Sequence, residues 1–276
     1  MLTQSCFYIA YYSTAFSYVV ITGYNSATKQ LSVRGTKIYP RSSYSRRIYW
    51  YSSYYSIKIG YSKAGISYTV REFDTAFPYA IDLDNNLYIQ GSGTLTRNSN
   101  NAILSQFNCN IILDSNITQL NSSTFLSTDL WTGITGEHVI NIGNSTFKSC
   151  DALTTANFPA CTTIESSAFY NCSALTSINF PACTSIGSYA FASCSALTTI
   201  NFPVCTDIGS YAFASCSALT SINFSACTSI RGSAFWYCSK LTSVNFPVCT
   251  YIGSSAFLYC SALTTINFPA CTSMDT

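Results

Sequence analysis

Residues 172–193 read CSALTSINFPACTSIGSYAFAS, and this 22-residue unit returns with small changes through the C-terminal half of the chain. Cysteines fall at 150, 172, 194, 216, 238 and 260, and a second set falls at 161, 183, 205, 227, 249 and 271, each set spaced by 22. The apolar positions recur in the same register. Leu153 through Leu263, Phe158 through Phe268, Ile164 through Ile252 and Phe169 through Phe257 form four columns at that spacing. Within T-S-I-N-F a strand period of two sends Ile178 and Phe180 to one face and Ser177 and Asn179 to the other. Pro181 follows at once and has no N–H for a ladder. One such coil cannot bury its own apolar set, so neighbouring coils must stack and the array must fold cooperatively.

The expected architecture is mainly β: a leucine-rich-repeat solenoid with a parallel sheet, preceded by a small β-rich N-terminal region. The unit length lies in the range of such solenoids. The motif I-G-S-x-A-F-x-x-C-x-x-L-T-x-I is carried by Ile186, Gly187, Ala190, Phe191, Cys194, Leu197 and Ile200. It resembles the BspA-type leucine-rich repeat of bacterial surface proteins. That resemblance implies adhesion or recognition at a surface, without cofactor and without catalysis. A degenerate copy upstream, where Leu120 and Phe125 precede Ile142 and Phe147 by 22, places the start of the array near Ile111. Leu83 through Gly93 resembles a strand-turn-strand lead-in, so the likeness runs over roughly 80–276. Two departures stand out: Phe precedes the proline where an aliphatic residue is usual, and A-C-T follows where Ser-Val is usual.

Charge divides the chain. Residues 1–106 hold ten basic and four acidic side chains, whereas 107–276 hold three basic and seven acidic, and 15 of the 21 tyrosines precede residue 107. We therefore expect a β-rich, Tyr/Ser-rich basic domain over 1–106, leading into the repeats from about 80, and the repeats over 107–276. Only 9% of residues are charged and the net is +2, which disfavours a nucleic-acid binder that relies on overall charge. One histidine, His138, excludes multi-histidine metal sites, and Glu137 beside it would point the opposite way on a strand.

Twelve of the 14 cysteines belong to the repeat. Disulfides between coils need Cβ atoms to converge, whereas in-register stacking sets them parallel. A metal site would want C-x-x-C, which is absent. Buried free thiols acting as small hydrophobes are the expectation.

Two candidate surfaces follow. The outward strand positions, Thr155 with Asn157 and their equivalents, form a uniform polar face that either hydrogen-bonds a ligand or keeps the sheet in register. Coils differ near the C-terminus, where Arg231, Trp236, Tyr237, Tyr251, Leu258 and Tyr259 gather the aromatic and arginine chemistry of recognition anchors. Covering of an end coil is the competing reading. In the N-terminal region, Arg46, Arg47, Tyr49, Trp50, Tyr51 and Lys58 interleave basic and aromatic residues as a possible attachment patch. Residues 1–28 carry no charge, but they show no basic leader and no span of ~20 apolar residues. Strands are expected at Tyr18–Thr22, Gln30–Val33, Tyr55–Tyr61 and Ser67–Arg71.

These features point to a non-enzymatic protein that binds a host protein or glycan at a cell surface or outside the cell. The alternative is a structural component of a larger assembly, such as a phage appendage or decoration protein on a virion. Nucleic acid and a membrane span are not expected. Self-association or particle attachment is expected through the N-terminal region or through the C-terminal coil, which reaches Met274-Asp275-Thr276 without a polar cap.

Overall fold

A computed structural model of the chain describes residues 93–95, 110–113, 115–128 and 130–275 in full, and within residues 1–92 the backbone of eight strands. The chain divides into two units, Met1–Gly91 and Ser92–Thr276. The charge break after residue 106 falls inside the second.

In the first unit the strands are Ser5–Ile9, Ser17–Asn25, Gln30–Arg34, Arg47–Tyr49, Ser56–Ser62, Gly65–Thr69, Tyr79–Ile81 and Asn86–Ile89. Their pairings are all antiparallel, and most join sequence neighbours. The four strands expected from β-branched and aromatic runs each overlap one of these. Arg47 and Tyr49 lie on one strand and Lys58 on its partner, with Arg47 opposite Lys58. Arg46, Trp50, Tyr51 and the side chains of the whole patch lie outside the described residues.

The second unit is the solenoid, and its described residues contain no helix. Each coil contributes two short strands. The first is exemplified by Ser177–Asn179 and the second by Ser185–Ile186. Second strands stack parallel and in register, Ile164 on Ile142, Ile186 on Ile164 and so on to Met274 on Ile252. That column is nine strands long and begins at Gly93–Leu95, which pairs with Ile117–Leu120. The array therefore extends one strand ahead of the expected start near Ile111.

The core is the set of repeated columns. Leu, Phe, Ile and both cysteine columns are almost wholly excluded from water through the middle coils. Phenylalanines stack on their own kind, as Phe169 on Phe191 at 5.1 Å and Phe191 on Phe213 at 5.3 Å. Trp131 takes the leucine position one coil before Leu153 and meets Phe125 edge-on at 4.9 Å.

First strands behave differently. Thr155–Asn157 pairs with Ser177–Asn179, Thr199–Asn201 with Ser221–Asn223, and Ser243–Asn245 with Thr265–Asn267, but the junctions between these pairs are not laddered. Ring spacing follows the same alternation. Phe158 to Phe180 is 5.6 Å, Phe180 to Phe202 is 6.0 Å, Phe202 to Phe224 is 5.5 Å and Phe224 to Phe246 is 5.9 Å. Laddered strands sit ~4.8 Å apart. A stacked phenyl column at the position before proline, where the family carries an aliphatic residue, holds the coils wider on this side. Asn110–Leu113, Gly133–Thr135 and Thr155–Asn157 ladder without a break, and from Thr155 onward, where the phenyl column begins, every second junction opens. Each open junction is bordered by one half-buried and one buried side chain, Ile178 with Ile200 and Ile222 with Val244.

Candidate functional site

The turn after each second strand carries the residues that differ between coils. In the stretch Gly187–Ser193 alternate amides have different partners. Ala190 and Ala192 donate back three residues within the coil, to Gly187 and Tyr189. Tyr189, Phe191 and Ser193 donate to Ser210, Ala212 and Ala214 of the next coil. Reversing the N–H direction so often needs left-handed backbone at Tyr189 (φ 59°) and Ser193 (φ 63°), and every coil repeats this at the same two positions. The turns are thereby bonded to one another along the axis, which makes the edge of the solenoid rigid.

Two aromatic groups stand on this edge. Trp236, Tyr237 and Tyr259 meet mutually, with ring centroids 5.5, 6.1 and 5.9 Å apart. Trp236 is half-buried, while Tyr237, Leu258 and Tyr259 are exposed. The structure thus brings together three of the expected anchor residues, with Leu258 on the same turn as Tyr259. Arg231 and Tyr251 lie elsewhere, on the second-strand side. Arg231 reaches back 3.3 Å to Asp207, and Tyr251 donates to Asp275. That bond to the Asp275 carboxylate holds the Tyr251 hydroxyl protonated beyond its usual range. The expected six-residue patch is therefore two groups, an aromatic one on the turn and a polar one beside it.

The second aromatic group is Tyr189 with Tyr211, stacked at 4.8 Å with planes 2° from parallel. Sequence reasoning passed over it because the two residues flank alanines and sit in otherwise regular coils. The signal was nonetheless present, since Ser167, Ser233 and Ser255 occupy the same column.

The polar strand face is a register device at its paired junctions. Asn179 donates to Asn157, Asn223 to Asn201 and Asn267 to Asn245, each at 2.7 to 2.8 Å. Thr184, Thr206, Thr228 and Thr250, on the second-strand side, each donate their hydroxyl to the carbonyl of the threonine one coil earlier.

The cysteines of both columns are free, and all but Cys271 are buried. Their thiols donate to backbone carbonyls. Cys194 donates to Phe169 and Cys216 to Phe191, each at 3.2 Å, while Cys183 donates to Ser185 at 3.3 Å. A thiol here supplies a small apolar volume together with a weak donor. Burial pushes Cys161, Cys183, Cys205 and Cys216 up to about 12, far from thiolate chemistry. Glu137 and His138 are both exposed in a turn, and Glu137 accepts from Asn157. Among the described residues no group of His, Cys, Asp and Glu side chains comes together as a metal site requires.

Residues 104–184 and 162–276 match the BspA type leucine rich repeat region, with six copies. The chain belongs to this family of leucine-rich repeat proteins. Among solved structures it is similar to a leucine rich repeat protein of T. pallidum, with 22% identity over 72% of this chain and 82% of that one, at a TM-score of 0.46. It is also similar to a leucine-rich repeat protein from Bacteroides ovatus, with 18% identity over 82% and 78% of the two chains and a TM-score of 0.33. A leucine rich cell surface protein from Faecalibacterium prausnitzii gives 17% identity over 72% and 94%, with a TM-score of 0.27. No curated protein sequence matches the chain. Membership rests on the repeat match and on the coil register, not on these distant likenesses. No helix among the described residues is long and apolar enough to cross a membrane.

Proposed function

We propose that this chain is a non-enzymatic recognition protein that binds a protein or glycan at a cell surface, with the solenoid as the binding element. The observation that carries the reading is the cluster of Trp236, Tyr237 and Tyr259 on the turn edge, beside exposed Leu258. Large aromatic side chains left partly in water by a repeat whose Leu, Phe, Ile and Cys columns are buried through the middle coils contribute little to the fold. Trp and Tyr are the residues that dominate binding energy where proteins meet. Membership in the BspA-type repeat family supports the same reading. Arg231, held by Asp207, and Tyr251, held by Asp275, form the polar border of the site.

The test compares the full chain with W236A/Y259A across a panel of purified surface proteins and glycans. A ligand carried by the cluster loses about 30-fold in affinity on that change, the scale of a hot-spot residue. Undiminished binding by the double variant overturns the site. Exposure of the chain on intact producing cells, read by surface labelling, tests the location.

A further inference from the structure

Four tyrosines stand exposed on the solenoid, Tyr189, Tyr211, Tyr237 and Tyr259, and all four sit on left-handed backbone, with φ of 59°, 57°, 61° and 62°. The other non-glycine residues with positive φ among the described residues are serines and Asn171. A bulky side chain is seldom found in that conformation. Serine fills the same two turn positions in neighbouring coils, so the fold does not call for tyrosine there. The turn edge is therefore written in Tyr, Ser and Asn alone at its outermost backbone positions.

We propose that the turn edge from Ser188 to Tyr259 is a paratope-like surface fitted to the uncharged face of a folded protein, with the Tyr189–Tyr211 pair as a second anchor beside Trp236, Tyr237 and Tyr259. The inference rests on the reading of the solenoid as a recognition protein, and it names the surface and the class of partner. Tyrosine presents a large amphipathic area at small entropic cost, while serine and asparagine adapt their hydrogen bonds, which is the composition that antibody loops use against proteins.

Three observations support it. The scaffold is rigid: Tyr189 donates its amide to Ser210 at 2.9 Å, Tyr211 to Gly232 at 3.1 Å and Tyr237 to Leu258 at 2.9 Å. The hydroxyls of the four tyrosines make no hydrogen bond among the described residues, so they are available to a partner. The turns Gly187–Ser193, Gly209–Ser215, Arg231–Tyr237 and Gly253–Tyr259 hold a single charge, Arg231, which Asp207 already neutralises. A neutral glycan fits less well. Sugars lie flat on open ring faces, and the parallel contact of Tyr189 with Tyr211 closes one face of each ring to such stacking.

The experiment uses the full chain and two variants, Y189S/Y211S and Y237S/Y259S, each introducing the residue that other coils carry at that position. Circular dichroism verifies that both variants fold. Two probes are applied: a phage-displayed library of folded single domains, selected without bias on the unaltered chain, and a panel of neutral chitin and β-glucan oligosaccharides. The expected result is that the enriched domains lose at least about tenfold in affinity to each variant. Their binding should also stay level between low and high salt. Loss with Y237S/Y259S alone removes the second anchor while leaving the C-terminal cluster as a site. Loss with neither variant overturns the turn edge altogether. Oligosaccharide binding abolished by Y189S/Y211S overturns the assignment to a protein partner.

Discussion

Phe169 and Phe191, one coil apart, stack with ring centroids 5.1 Å apart and planes 2° from parallel. The same relation joins Phe191 to Phe213, Phe213 to Phe235 and Phe235 to Phe257. Each ring is therefore core for two neighbours, and stability resides in the junctions rather than in the coils. Phe213→Ala removes a side chain that is fully buried and should destabilise the solenoid by ~3–5 kcal/mol, the cost of truncating a buried phenylalanine. Urea denaturation followed by circular dichroism measures it. A loss below ~1 kcal/mol would mean the column does not bear the stack.

Gly209 and Gly232 make opposite demands. A Cβ on Gly209 would lie 2.5 Å from the carbonyl carbon of Gly187 and 2.6 Å from the amide of Ser188, both backbone atoms of the previous coil. A Cβ on Gly232 would meet nothing nearer than 3.4 Å. Gly209→Ala should therefore destabilise by more than ~2 kcal/mol through a backbone clash, and Gly232→Ala should stay within ~0.5 kcal/mol. Thermal melts of the two variants side by side check this, and equal melting temperatures would contradict it.

Alkaline pH acts through the thiols. Burial raises Cys216 from 9.0 to about 12, so the folded chain keeps a proton that the unfolded chain releases. The contribution is fully present below pH 9 and is lost as pH rises toward about 12. Stability under reducing conditions should decline across that window, and Cys216→Ala should make the decline shallower. An identical slope in the variant would show that the thiol ionises equally in both states.

The open junctions should be visible in hydrogen exchange. Thr220 donates its amide to Thr198 and Thr264 donates to Thr242, whereas Thr198 and Thr242 have no such bond to the preceding coil. Amide protons of Thr198 and Thr242 should exchange faster than those of Thr220 and Thr264. Equal protection at all four would mean that the first-strand ladder runs unbroken.

Much of this was legible in the chain itself. A spacing of 22 residues in six columns fixed the coil, its inward residues and the thiol ladders, because an in-register stack repeats whatever one coil does. The alternation of open and closed junctions was not legible. Residues on the two sides of each junction are nearly the same, and only the thickness of a stacked phenyl column against a strand spacing reveals the strain. The start at Gly93 was hidden for a related reason, since a three-residue strand without the repeat motif gives no periodic signal. At the site, Trp236, Tyr237 and Tyr259 could be named as deviations from a regular pattern. Arg231 and Tyr251 could not be separated from them, because the turn and the strand point to different sides only once the coil is built. Tyr189 and Tyr211 were visible as letters, but their left-handed backbone was not.

The account depends on successive 22-residue coils lying directly over one another. Pulsed electron resonance between spin labels on ketone side chains, introduced at Ser173 and in turn at Ser217, Ser239 or Ser261, measures this without touching the cysteines. Stacking predicts a mean separation that lengthens by about 5 Å with each added coil, in narrow distributions. Separations that fail to grow with coil number, or that spread broadly, would contradict it.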